Sequence, residues 1–405
     1  MEVPPLKAVQ AALRKTTEQI AAELAYPTRS QPAWSDFEWR AARAVAAMHG
    51  VSPLLATTLR WQGPQEWQSF LAQQQAHTQQ RHRRIEELLQ LFDCRAKAAG
   101  IAAMALKGAA LHSVGIYRPG ERPMADVDIL VTEQNVEPAS RMLEELGFRE
   151  AHSVWRHRSF APAETRTSSN LGEHADNCIK IELHERISEA LPLRKVDITD
   201  LVFATRPSPG LNPYPSTAAL MIHLLLHAAG SMVSRSLRLL QLQDIALLAK
   251  RMTDADWAEI VRPRASGEFL WWAFPPLLLA SRYYIESIPL SILNALASNC
   301  PILLRRITRR RSLSEVSLSF LWIEAFPGIE WARTAGEMAE YIGKRIKPDT
   351  EMMSVRKSLA ATETRLAENP WTHLHQGTRI LRWIASRPPR PATMCAVRAV
   401  FDTSI

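Results

Sequence analysis

Residues 106–131 read LKGAALHSVGIYRPGERPMADVDILV, and the fold turns on how this stretch is read. Its last part, Asp126-Val-Asp-Ile-Leu-Val131, alternates cleanly between polar and apolar residues, as a strand does. Successive strand side chains point to opposite faces, so Val127, Ile129 and Val131 share one face and Asp126, Asp128 and Leu130 the other. Two carboxylates side by side repel each other unless a cation sits between them. Mg²⁺ takes hard oxygen ligands and is commonly held by one or two carboxylates together with substrate phosphates. Just upstream, apolar Ile101 to Leu106 suits a short buried strand ending at Lys107-Gly108, where glycine permits close backbone approach to a phosphate. A helix is expected from Ala109 to Val114 with its N-terminus at that turn, and RPGERP, Arg118 to Pro123, reads as a loop.

Outward from this stretch, Asn135 to Leu146 is an amphipathic helix stopped by Gly147. Ile179 to His184 alternates again, with Lys180, Glu182 and His184 on one face. Glu182 then offers a third carboxylate for a two-metal site, in which one ion activates an attacking hydroxyl and the other neutralises a leaving pyrophosphate. Residues 152–177, with TRTSSNLGEHADN, have no firm assignment. Residues 1–95 read as helices, Gln65 to Ala99 being one long helix or two abutting ones, and the pattern is helical again from Ser216. Phe269 to Ala280, with Trp271, Trp272 and two prolines, reads as buried core. The expected fold class is α+β: a small mixed sheet in a catalytic core over 96–205, wrapped by an N-terminal helical region (1–95) and a C-terminal helical domain (206–386). A loose, proline-rich segment (387–405) is expected to follow.

Composition agrees with a mainly helical chain. Of 405 residues only 15 are glycine, about half the usual share of roughly 7%. The four cysteines lie far apart with no CxxC and no CxxH, which argues against a zinc site and a disulfide framework and for a reducing, cytoplasmic setting. The N-terminal helix carries charges throughout, and no apolar run is long enough to span a membrane. Net charge is +8, and part of the excess lies in arginine clusters at 81–84 and 305–311. Such faces attract anionic partners or are simply solvated, and the second reading is preferred because no aromatic stacking pattern accompanies them. There is no GxxxxGK[ST] and no GxGxxG after a strand, against P-loop kinase and dehydrogenase readings.

The stretch 106–131 resembles the signature of the uncharacterised nucleotidyltransferase family of the polymerase-β-like superfamily. That family runs Leu-Lys-Gly, a short helix, Tyr, then Arg-Pro-Met-Gly-Asp-Ile-Asp. IELHERI (181–187) is similar to its Glu-Leu-His segment, and IHLLLHAAG (222–230) with LRLLQLQDIALL (237–248) to its helical segment with two histidines and an Arg…Asp pair. The similarity covers about residues 35 to 260. In this chain Ala109 follows Gly108, Ala125 precedes Asp126 and Glu185 follows His184, where the pattern has Gly or Ser, Gly, and an aromatic residue.

The resemblance implies that Asp126, Asp128 and Glu182 hold the metal and catalyse, with Lys107 and Gly108 on the phosphate side. The reaction implied is Mg²⁺- or Mn²⁺-dependent transfer of a nucleoside monophosphate from an NTP to a small molecule, peptide or RNA, with release of pyrophosphate. A nucleotide-sugar donor acting on a modified peptide, a tRNA-modifying toxin and a silent nucleotide-binding scaffold are the rival readings. Several single residues stay open at this point. Lys107 binds phosphate or pairs with an acid. Arg122 reaches a triphosphate or anchors its loop. His184 assists proton removal or makes a structural hydrogen bond. His223 and His227, four apart on one helix, are expected to be buried and hydrogen-bonded, with Asp244 a candidate partner.

Overall fold

The computed structural model describes residues 4–154, 157–163, 171–203, 206–264, 267–348 and 374–401. Four helices lead in: α1 (Leu6–Ala25), α2 (Asp36–Met48), α3 (Ser52–Thr58) and α4 (Gln65–Ala98). A capping box starts α2, with Ser35 Oγ accepting from the Glu38 N–H and the Glu38 carboxylate accepting from the Ser35 N–H. Gln65 to Ala98 forms one continuous helix of 34 residues, the first of the two forms its sequence allowed.

The sheet region follows: β1 (Ala102–Ala105), α5 (Lys107–Ser113), β2 (Asp126–Val131), α6 (Val136–Glu145), β3 (Phe148–Val154), β4 (His157–Pro162) and β5 (Lys180–His184). A hairpin of β6 (Ser188–Leu191) and β7 (Arg194–Asp197), a turn of helix α7 (Thr199–Val202) and the short β8 (Gly210–Leu211) complete it. The main sheet has six strands in the order β3-β4-β5-β2-β1-β8. It is mixed: β2 pairs parallel with β5 and antiparallel with β1, while β1 pairs parallel with β8. The unassigned stretch 152–177 contributes β4 and the end of β3, and residues 155–156 and 164–170 of it lie outside the described residues.

The two faces of β2 enter different cores. Val127, Ile129 and Val131 pack with Ile181 and Leu183 of β5, Leu143 of α6 and Phe92 of α4. Leu130, with Met104 and Leu106, enters the larger core formed by the helical regions. There α8 (Thr217–Val233), α9 (Leu239–Ala249), α10 (Asp254–Val261), α11 (Phe274–Tyr283) and α12 (Leu290–Asn299) follow one another. Trp271 and Trp272 are buried, and Pro275 and Pro276 sit in the first turn of α11, where a missing N–H costs nothing. Next come α13 (Ile302–Thr308), α14 (Leu313–Val316), α15 (Ala335–Ile346) and helices at Gln376–Ser386 and Pro391–Phe401. The chain is thus mixed helix and sheet with helices on both sides of the sheet in sequence, as expected.

One expectation changes. Over its described residues, to Phe401, the C-terminal segment is packed: Met394, Val397, Val400 and Phe401 are buried in the large core, and the Phe401 ring lies 4.9 Å from that of Phe37 on α2. The proline-rich run marks only its approach, since proline suits the start of a helix. The N-terminal and C-terminal helices share one core, in which Leu13 and Val45 join Leu225, Leu242 and Val397. Among the described residues, no helix is long and apolar enough to cross a membrane.

Candidate active site

In the β2–β5 pair, Asp126 lies opposite Lys180, Asp128 opposite Glu182 and Leu130 opposite His184. The other face of both strands is buried and apolar, so a slip of one residue would turn the acids into the core; this fixes the register. Asp128 and Glu182 therefore stand side by side, as the alternation implied. One imidazole nitrogen lies close to both: His184 Nε2 is 2.9 Å from Asp128 Oδ1 and 3.7 Å from Glu182 Oε2. Lys107 Nζ is 2.8 Å from the same Asp128 oxygen. Asp128 is buried and Asp126, at the strand's start, is more open.

Charge in this cluster is out of balance. Burial opposes ionisation of Asp128, yet Lys107 and His184 hold its carboxyl well below the usual carboxylate range. Burial also opposes the Lys107 charge, but Asp128, Asp126 and Glu182 outweigh it and keep the ammonium charged beyond its ordinary range. Glu182 takes the strain. Its burial, then the negative charges of Asp128 and Asp126, push its carboxyl up to about 8. A carboxyl that retains a proton near neutrality because of its acidic neighbours is one from which a divalent cation would displace that proton. The donor set, carboxylate oxygens from two neighbouring strands, suits such an ion.

The backbone leading to the acids is tied down by residues from other elements. Arg122 Nε and Nη2 donate to Asp244 Oδ1 and Oδ2 of α9 at 2.8 and 2.7 Å, and the Tyr117 hydroxyl donates to Asp244 Oδ1 at 2.7 Å. The guanidinium also donates to the Pro123 carbonyl, so Arg122 has the geometry of the loop anchor. Gly108 is needed here for space: a Cβ would collide with the Arg122 guanidinium and lie 3.0 Å from Met124 Cγ. Lys107 itself has φ +46°, a left-handed conformation that a lysine holds only when its surroundings over-determine it.

Asp244 is thus occupied and does not bond the histidines, which corrects that expectation. His223 shares a 2.7 Å hydrogen bond with the Tyr214 hydroxyl, and His227 Nδ1 lies 4.0 Å from Glu189. Burial lowers both imidazoles from their ordinary value and favours the neutral form. Arg81 is a second correction. It is buried, donating to the carbonyls of Asn177, Met124 and Ala125, and it sits 2.8 Å from Glu173 Oε2. A face read as solvated thus anchors the peptide just before Asp126. The only sequence signal was its place in a helix facing a polar loop.

A cavity of about 610 Å³ opens over Asp126, Asp128 and Glu182. Lys107, Arg122 and Asp244 line it nearby, and Ser236, Arg238, Gln241 and Arg390 line it from the helical region. Among the described residues, none of Arg305 to Arg311 lines it; α13 ends at Thr308, and Arg305 donates to the Ala297 carbonyl. His157 of β4, which no sequence argument singled out, lies across the sheet from His184, its Nε2 3.4 Å from Glu182 Oε1.

A pocket of this size, lined by crowded acids and by arginines, suits a ligand that brings phosphates. A family model described as uncharacterised nucleotidyltransferase matches residues 35–284, more than half of the 405 residues. The chain belongs to that family. Comparison with curated proteins and with solved structures found no match.

Proposed function

We propose that the chain moves a nucleoside monophosphate from an NTP to an acceptor in a Mg²⁺- or Mn²⁺-dependent reaction that releases pyrophosphate. One observation carries this reading: three carboxylates on adjacent strands, Asp126, Asp128 and Glu182, with the last pushed up to about 8 by the others and by burial. These three residues would hold the divalent metal, which when bound neutralises phosphate charge and lowers the pKa of an attacking hydroxyl. His184 orients Asp128 through their hydrogen bond. Lys107 supplies positive charge beside the acids, and Arg238 and Arg390 line the same cavity, so a triphosphate bound there would meet positive charge from both regions of the chain. Arg122 serves as a positioning residue, fixing through Asp244 the peptide that carries Asp126. The acceptor oxygen bonds to the α-phosphorus as the bond to the bridging oxygen breaks. Pyrophosphate leaves, and the acceptor's hydrogen passes to Glu182, whose carboxylate would be free of its own proton once the cation is bound.

The acceptor class is a small molecule, a peptide or an RNA. The test incubates pure protein with each NTP, labelled in the α- or the γ-phosphate, with Mg²⁺ and pools of each acceptor class. The α-label should pass to an acceptor while the γ-label leaves as pyrophosphate. Transfer of the γ-label would mean phosphoryl transfer instead. Binding without transfer of either would leave a nucleotide-binding scaffold.

A further inference from the structure

Glu182 also borders a second, smaller pocket of about 140 Å³, which shares Lys107 and His227 with the large cavity and is lined further by His157, His184, Arg186, Glu189 and His223. Four imidazoles gather around this small space, where the lining of the large cavity has one. Three of these side chains converge: His157, Glu182 and His184 can each bring one ligand atom to within 4.8 Å of the others. The closest approaches are 3.4 Å from His157 Nε2 to Glu182 Oε1 and 3.7 Å from His184 Nε2 to Glu182 Oε2.

We infer that this pocket is a transition-metal site, with His157, Glu182 and His184 as ligands to a Zn²⁺-class divalent ion. A metal with bonds of about 2.0–2.2 Å to nitrogen and oxygen holds its ligand atoms somewhat over 3 Å apart, so small side-chain rotations close the set. The ligand chemistry sets the ion: imidazole suits Zn²⁺, Co²⁺ and Ni²⁺, whereas Mg²⁺ prefers oxygen alone. The scattered cysteines are no objection, because no ligand is a thiolate. Strand pairing holds the donors in place, with His157 opposite His184 and Ser159 opposite Glu182 on β4 and β5. Two protein nitrogens and one carboxylate leave a coordination position for water. The binding site stands whether or not the chain transfers nucleotides. Its effect on that reaction rests on Glu182 being the third acid there: a filled histidine site takes up both Glu182 and the His184 Nε2 that otherwise bonds Asp128, so the two ions compete.

The experiment uses the whole chain stripped of metal with a chelator and titrated with ZnCl₂ by calorimetry and with CoCl₂ by visible absorption. One ion per chain should bind with Co²⁺ bands of a nitrogen-ligated site. His157→Ala and the milder His157→Gln should each weaken Zn²⁺ by more than about tenfold, since even outer-shell partners of metal ligands commonly contribute that much. Zn²⁺ should also shrink the thermal shift given by Mg²⁺-ATP in the wild type and not in the His157 variants. Wild-type protein that binds neither Zn²⁺ nor Co²⁺ would overturn the site, as would Zn²⁺ affinity unchanged in both variants. Absence of any Mg²⁺-ATP shift would count against the nucleotidyl-transfer reading alone, because the Zn²⁺ and Co²⁺ titrations judge the histidine site separately.

Discussion

Two charge clusters a few residues apart in sequence make opposite use of the same chemistry. At Arg122 one guanidinium meets one carboxylate through two hydrogen bonds, and Tyr117 donates a third, so the buried charges cancel. At Asp128 one lysine faces three acids, and burial together with that surplus pushes the Glu182 carboxyl up to about 8. The first cluster is complete in the protein alone; the second would be completed by the cation proposed above. Electrostatic imbalance held in place by strand register separates a site from a strut, although both look like ion pairs when taken residue by residue.

The largest effect should come from Asp126→Asn, which removes one acid from the unbalanced cluster. Turnover should fall by about a thousandfold or more, several kcal/mol of metal stabilisation being lost, while the melting temperature stays near that of the wild type. Initial rates and a melt on the same sample check both; a rate within tenfold of wild type would remove Asp126 from the site. Asp128 should differ, because Asp128→Ala also leaves the Lys107 ammonium without its nearest partner and should lower stability as well.

In the balanced cluster the order reverses. Asp244→Ala strands a buried guanidinium and should cost about 3–5 kcal/mol of stability in denaturant unfolding. Arg122→Met with Asp244→Leu should recover most of it. If the single variant is as stable as the wild type, the strut is not one.

Gly108→Ala should cost about 1–3 kcal/mol by pushing on Arg122. A melt unchanged from wild type would refute that close approach.

The fourth prediction is on pH. Glu182 has a folded value raised from 4.5 to about 8, so between these values the native state binds more protons than the unfolded one and this group's stabilisation falls as pH rises. The buried histidines His49 and His223, whose values are lowered, add stability over the same interval as their unfolded-state imidazoles lose protons, but they do so in both proteins, so the difference from Glu182→Gln isolates Glu182. Metal-free wild type should therefore lose stability from pH 6.5 to 8 relative to Glu182→Gln, and Mg²⁺ should cancel the difference. Parallel stability curves for the two proteins would remove the imbalance from the comparison.

The smallest effect belongs to neutralising Arg306, Arg309 and Arg310, exposed and away from the cavity lining. Stability should move by no more than about 0.5 kcal/mol, and ATP affinity by calorimetry should stay put. A large loss of either would bring that surface back into the site.

Period-two alternation made β2 and β5 legible, because each has one fully apolar face, and their shared polar face brought out Asp126, Asp128 and Glu182 together. Arg122 and Lys107 were visible as residues, while their partners were not: Asp244 lies 122 positions from Arg122, and no local pattern carries so distant a pairing. His157 was missed for a related reason. Its strand is short and half exposed, and its importance comes only from lying opposite His184 across β4 and β5. Arg81 sat inside a run of like charges, which hides a single buried member. The C-terminal helix was obscured by proline, which marks the edge of an element more plainly than the element beyond that edge.

The lining of the cavity over the acids is completed by Leu318, Arg390 and Ala392, some 190 or more residues downstream of the acid strand. Synthesis proceeds from the N-terminus and domains fold as units during it. The acid strand is therefore made, and able to pair, while the far side of its pocket has yet to be synthesised. Until those residues dock, the acids face open solvent, so an enclosed pocket marks a chain whose folding is finished.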